Sequence, residues 1–119
     1  MNFFGRFQFL ILCAALCFVG VSRSASAHPS IDITASNWKF TPTVIETHVG
    51  EPTVLRFSSS EGVHGVASDE LGIKKTMIVP GEIAEVRFTP KKAGVYKVPC
   101  AFLCGPGHDT MLLTVKVRK

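Results

Sequence analysis

Twelve residues near the C-terminus constrain this chain more than any other stretch: Cys100-Ala-Phe-Leu-Cys104-Gly-Pro-Gly-His108-Asp-Thr-Met111. Two thiols, one imidazole and one thioether fall inside one short loop. Soft sulfur donors select copper(I), zinc or iron–sulfur, and imidazole suits copper and zinc. With a thioether closing the set, copper comes before zinc. A mononuclear blue-copper site needs one Cys, two His and a weak axial Met. This loop carries one thiolate too many for that, and two Cys four residues apart can both bridge a pair of copper ions. Gly105-Pro106-Gly107 suits the loop, because glycine reaches backbone angles closed to other residues and proline stiffens the connection.

The spacing C-x3-C-x3-H-x2-M resembles the binuclear copper (CuA) loop of cytochrome c oxidase subunit II and of nitrous oxide reductase. His64, in Gly62-Val-His64-Gly-Val-Ala ahead of Pro80-Gly81, stands where that family carries a further His. The resemblance covers roughly residues 31–117. It implies a cupredoxin-like fold and a centre of two copper ions. Cys100 and Cys104 would bridge them, with His64 and His108 as terminal ligands. Met111 would be the weak axial ligand of the copper bound by His64, and the Phe102 carbonyl the weak ligand of the other. Subunit II usually has Glu where this chain has Phe102; its side chain there reaches a magnesium at the catalytic-subunit interface. The aromatic cluster through which cytochrome c delivers electrons is also missing from this sequence.

The N-terminus reads as an export signal: Arg6, a nearly continuous apolar run over residues 7–21, then Ala25-Ser-Ala27 before His28. A run of about 15 residues is short of the roughly 20 that span a bilayer. Residues 1–27 are therefore expected to be a signal peptide, with retention as an anchor the alternative. Residues 28–119 form one domain, periplasmic or otherwise extracytoplasmic. Cys13 and Cys17 leave with the signal, and only Cys100 and Cys104 remain. In an oxidising compartment those two could form a disulfide, so a thiol reductase and a copper chaperone are expected helpers for loading. If cleavage follows Ala27, His28 offers a free amine beside its imidazole, a further copper(II) donor pair.

The rest of that domain is short alternating runs separated by turns. Residues 31–34, 44–49, 53–57, 63–67, 83–88, 95–98 and 110–117 all read as strands. With no helical stripe, the expected fold is an all-β Greek-key sandwich of seven to eight strands. In the cupredoxin frame the metal loop joins the last two strands, Met111 lies just inside the final one, and His64 sits on a neighbouring loop. Trp38, Phe40 and Phe57 read as core anchors. Tyr96, two residues after Gly94, reads as a tyrosine pinning a strand corner. Met77 is expected to pack near the site, His48 to be exposed, and Lys74-Lys75 and Lys91-Lys92 to be solvated turn residues.

The chain carries a net charge of +4, and losing Arg6 and Arg23 leaves 11 basic against 9 acidic residues. So even a balance gives no case for nucleic acid. No Ser/His/Asp grouping suggests a hydrolase, and no small-molecule substrate is implied. Two functions follow from the loop. One is an electron-transfer module exchanging single electrons with redox partners such as cytochrome c or a membrane oxidase or reductase. The other is copper delivery, storage or sensing. A structural Cys2His2 zinc site accepts the same sulfur and nitrogen donors, but leaves Met111 without a role.

Overall fold

A computed structural model describes Gly20, Ser22 and residues 28–119. The expected export segment otherwise lies outside the described residues, together with Cys13 and Cys17.

Nine strands make up the domain. The first sheet has the order β2-β1-β4-β7: Lys39–Thr41, Ser30–Ser36, Thr53–Ser59 and Ala84–Phe88. The second has the order β3-β9-β8: Val44–His48, Leu112–Arg118 and Gly94–Pro99. A separate hairpin joins β5 (His64–Ser68) to β6 (Ile73–Ile78). Two strand pairs are parallel, β1 with β4 and β3 with β9, so sequence-distant segments become neighbours.

Alternation explains most of the strands. In β3, Ile45 and Thr47 point inward while Val44, Glu46 and His48 are exposed. In β9, Leu113, Val115 and Val117 face the interior. Both sheets and the hairpin contribute to one core: Ile33, Leu55 and Phe57 from the first, Val98, Leu113 and Val115 from the second, Val66 and Ile78 from the third. Phe40 and Phe57 meet edge-to-face, ring centroids 6.0 Å apart, an arrangement that matches the positive rim of one ring to the negative face of the other.

The architecture is the expected all-β one, with nine strands where seven to eight were expected. β2 is only three residues long. β6, Ile-Lys-Lys-Thr-Met-Ile, has no period of two, and its pairing with β5 shifts register between Val66 and Ser68. Lys74 and Lys75 accordingly lie on a strand, not in a turn. His64 opens β5 rather than sitting on a loop, and Met111 precedes β9 rather than entering it. Trp38 occupies the turn between β1 and β2, half-buried against the rim of the core. Met77 is 51% exposed, so it does not pack. Tyr96 does pin its corner: its hydroxyl donates to the Lys92 carbonyl at 2.8 Å.

Candidate metal centre

The loop between β8 and β9 is registered from two sides. The Cys100 N–H donates to the Met111 carbonyl at 3.0 Å, closing the loop at its base. The next residue, Ala101, donates to the Gly65 carbonyl at 2.9 Å, fastening the loop to β5. A short 3-10 turn, His108–Thr110, carries the second imidazole and leads into Met111.

This folding gathers all six residues singled out in the sequence. Cys100 Sγ lies 3.4 Å from Cys104 Sγ and 3.3 Å from the Phe102 carbonyl oxygen. His108 Nδ1 is 3.6 Å from Cys104 Sγ, and Met111 Sδ is 3.9 Å from it. The ligand atoms of His64, Cys100 and Cys104 all lie within 4.8 Å of one another. His64 and Met111 are fully buried, at 0% exposure, and Cys100 is nearly so. His28 is not brought to this cluster; it lines a shallow cleft with Pro52, Thr53 and Arg87.

The His64 ring has a defined orientation. Its Nε2–H donates to the Glu61 carbonyl at 2.6 Å. Its Nδ1 is buried without a hydrogen-bond partner. Such an orphan is costly, about 1–3 kcal/mol, and rare enough to need a reason. A metal ion supplies one: a ligating imidazole commonly donates its other N–H to a carbonyl, which fixes the tautomer. The orphan nitrogen fits a bound metal, and the sulfur donors beside it suit copper.

Partial burial pushes the Cys104 thiol up to about 11, reinforced by the hydrogen bond and charge of Cys100. Cys104 without metal therefore keeps its proton at neutral pH, and binding as a thiolate releases it.

Sequence reasoning missed the residues that hold the loop. The Phe102 ring abuts Gly65, where a Cβ would collide with it, and the Lys75 ammonium sits 4.3 Å from the ring centroid. Gly105 has φ +123°, a backbone that favours glycine. Gly107 does not: its φ is −92°, and it is small because the Trp38 ring passes against it. Only Gly105 therefore meets the expectation of special backbone angles. Nothing in the local sequence signalled the Trp38 and Gly65 contacts, since both partners lie far away along the chain.

A family model described as cupredoxin-like domain matches residues 9–110. Two cytochrome c oxidase subunit 2 sequences of Thermus thermophilus are each 30% identical to the chain over 90 residues, 76% of its length. The chain spans 66% of one of these relatives and 53% of the other. Among solved structures, the periplasmic domain of subunit II of cytochrome oxidase (CoxB) of Bradyrhizobium japonicum superposes with a TM-score of 0.68 at 19% identity, covering 78% of this chain and 88% of that one. A mixed-disulfide intermediate between thioredoxin-like TlpA and subunit II of cytochrome c oxidase matches at a TM-score of 0.65 and 17% identity, over 86% and 89% of the two chains. These two structural matches bear on the fold.

Proposed function

Because this chain belongs to the cupredoxin-like family, we propose that residues 28–119 form an extracytoplasmic electron-transfer domain with a binuclear CuA-type copper centre. One observation carries this: two thiol sulfurs 3.4 Å apart, with His64, His108, Met111 and the Phe102 carbonyl converging on them. Cys100 and Cys104 would be the bridging ligands, His64 and His108 the terminal ones, and Met111 Sδ and the Phe102 carbonyl the weak ones. When bound, two copper ions sharing thiolate bridges take up and release one electron with little rearrangement.

The protein's part is to hold the donors still. His64 is locked by Glu61, Cys100 by the Met111 carbonyl, and Met111 by burial. Around the centre three apolar side chains are accessible: Leu103 is 89% exposed, Met77 51% and Val63 43%. Val63 and Leu103 adjoin ligands in sequence, and Met77 pairs with Gly65. A rim of this kind lets a redox partner approach closely and then leave. The relatives' name, cytochrome c oxidase subunit 2, supports a membrane oxidase or cytochrome c as that partner. The domain has no catalysis of its own; it contributes to oxidation chemistry through such a complex.

Residues 1–27 are proposed to direct export to the periplasm. Among the described residues no helix is long and apolar enough to cross a membrane. The adjacent thiols support a need for a thiol reductase and a copper donor during loading. A subunit II structure captured as a mixed disulfide with a thioredoxin-like protein supports that reading.

The experiment is copper loading of the reduced domain followed by metal count, optical spectra and EPR. Two coppers per chain and a seven-line EPR pattern are expected, as one unpaired electron shared by two equivalent copper nuclei requires. One copper with a four-line pattern would reduce the centre to a mononuclear one. Transfer of copper(I) to an acceptor without a stable mixed-valence state would move delivery ahead of electron transfer.

A further inference from the structure

We propose that Trp38 is a positioning residue for the copper centre, and that the β1–β2 turn brackets both histidine-bearing segments at once; this rests on the copper-binding reading above. Trp38 precedes Cys104 by 66 residues, yet its indole Nε1–H donates to the Cys104 carbonyl at 3.0 Å. The ring then runs along the loop. A Cβ on Gly105 would stand 3.0 Å from Nε1, and one on Gly107 would stand 2.5 Å from three ring atoms. No side chain intervenes between the indole and the backbone that leads from Cys104 to His108.

The neighbouring residue reaches the other half of the site. The Asn37 N–H donates to the Glu61 carboxylate at 3.4 Å, and the Glu61 carbonyl receives the His64 Nε2–H at 2.6 Å. Asn37 Oδ1 also approaches Gly62, where a Cβ would stand 2.9 Å from it. Two consecutive residues thus touch the segments that carry His64 and His108.

The physical need for such a bracket follows from the loop's composition. Gly105 and Gly107 permit close approach but leave a freely turning position on each side of the stiff Pro106. The His108 N–H bonds only as far back as the Gly105 carbonyl. Without an external hold, the peptide after Cys104 is free to turn, and the 3.6 Å spacing of His108 Nδ1 from Cys104 Sγ is free to drift. Trp38 supplies the hold in two parts, a hydrogen bond that orients the Cys104 carbonyl and a flat surface that limits the glycines. Trp38 packs against the rim of the core and at the same time lays its ring on the two glycines and its N–H on the Cys104 carbonyl, so it ties the loop to the sandwich.

Three full-length proteins test this: wild type, Trp38→Phe and Tyr96→Phe. Trp38→Phe keeps an aromatic face and removes the N–H. Tyr96→Phe removes the hydroxyl bond to Lys92, at the opposite end of β8 from the loop, and controls for a general loss of stability. Loaded with copper, Trp38→Phe should lose about tenfold in copper retention against a chelator, the lower end of what outer partners of metal ligands contribute. Its EPR hyperfine pattern and reduction potential should also change, whereas Tyr96→Phe should lower the melting temperature and leave both unaltered. In the reduced, metal-free proteins, amide exchange at His108 should quicken about fivefold in Trp38→Phe, as loss of one restraining hydrogen bond predicts.

Wild-type spectra, retention and exchange in Trp38→Phe would overturn the proposal. If Trp38→Phe does not fold, Gly107→Ala presses on the same contact from the loop side. A wild-type spectrum in Gly107→Ala would equally overturn it. Failure of the wild type to bind two coppers would refute the binuclear reading alone, because the metal-free exchange measurement still decides whether Trp38 orders the loop.

Discussion

Replacing His64 with leucine should make the metal-free protein no less stable while removing most of the stability that copper adds. The imidazole is fully buried, and Nδ1 has no partner. An unsatisfied buried acceptor costs about 1–3 kcal/mol. Leucine has a similar volume and no such atom. The substitution also deletes the Nε2–H bond to the Glu61 carbonyl, worth about 1 kcal/mol net. Glu61 lies at the surface, so water can replace that donor. The balance is a gain of between about 0 and 2 kcal/mol for the metal-free fold. At about 4–8 °C per kcal/mol for a domain of this size, the melting temperature should stay level or rise by up to roughly 15 °C. Copper should reverse the order. A ligand at a thousandfold above its dissociation constant stabilises by about 4 kcal/mol, and a variant lacking one imidazole should forfeit nearly all of it. Thermal melts by circular dichroism on reduced protein, with and without copper, measure both arms. A fall of more than about 10 °C in the metal-free variant would mean His64 holds the fold through contacts other than these. An equal rise with copper in both proteins would remove His64 from the centre.

Met111→Leu should keep the fold, because a buried, volume-conserving exchange costs less than about 1.5 kcal/mol. With the thioether 3.9 Å from Cys104 Sγ gone, the optical bands and potential should shift while copper stays bound, and an unchanged spectrum would exclude Met111 as a ligand. Gly65→Ala puts a Cβ into the Phe102 ring and 3.1 Å from the Thr76 carbonyl. Overpacking of this kind costs about 1–3 kcal/mol, and because Ala101 is fastened to Gly65, copper retention should fall as well; a chelator competition checks it. Tyr96→Phe should cost about 1 kcal/mol, read as a drop of roughly 4–8 °C in the melting temperature, with the copper spectra unmoved.

Much of the fold was visible along the chain because its cause is local. Alternation in β3 and β7, and in β9 apart from the buried Thr114, follows from one buried face and one exposed face, and each was found. β6 escaped because its exposed residues, Lys74, Lys75 and Met77, fall on both faces and a register shift breaks the period. Met77 misled for the same reason: a lone methionine near a metal motif suggests packing, but its place on the pleat turns it outward.

The sequence by itself grouped most of the proposed donors. Cys100, Cys104, His108 and Met111 lie so near one another in the chain that any closed loop brings them together, and sulfur and imidazole chemistry selects the metal whatever surrounds it. Tertiary structure decided the rest. It tied Nε2 of His64 to Glu61 and left Nδ1 buried without a partner. It gave Gly107 its role through contact with a ring, where Gly105 has one through φ. It set Trp38 at the rim of the core, where its indole also reaches the Cys104 loop. These depend on hydrogen bonds and contacts between residues tens of positions apart, and those exist only once the parallel strand pairs have brought the two ends of the domain together.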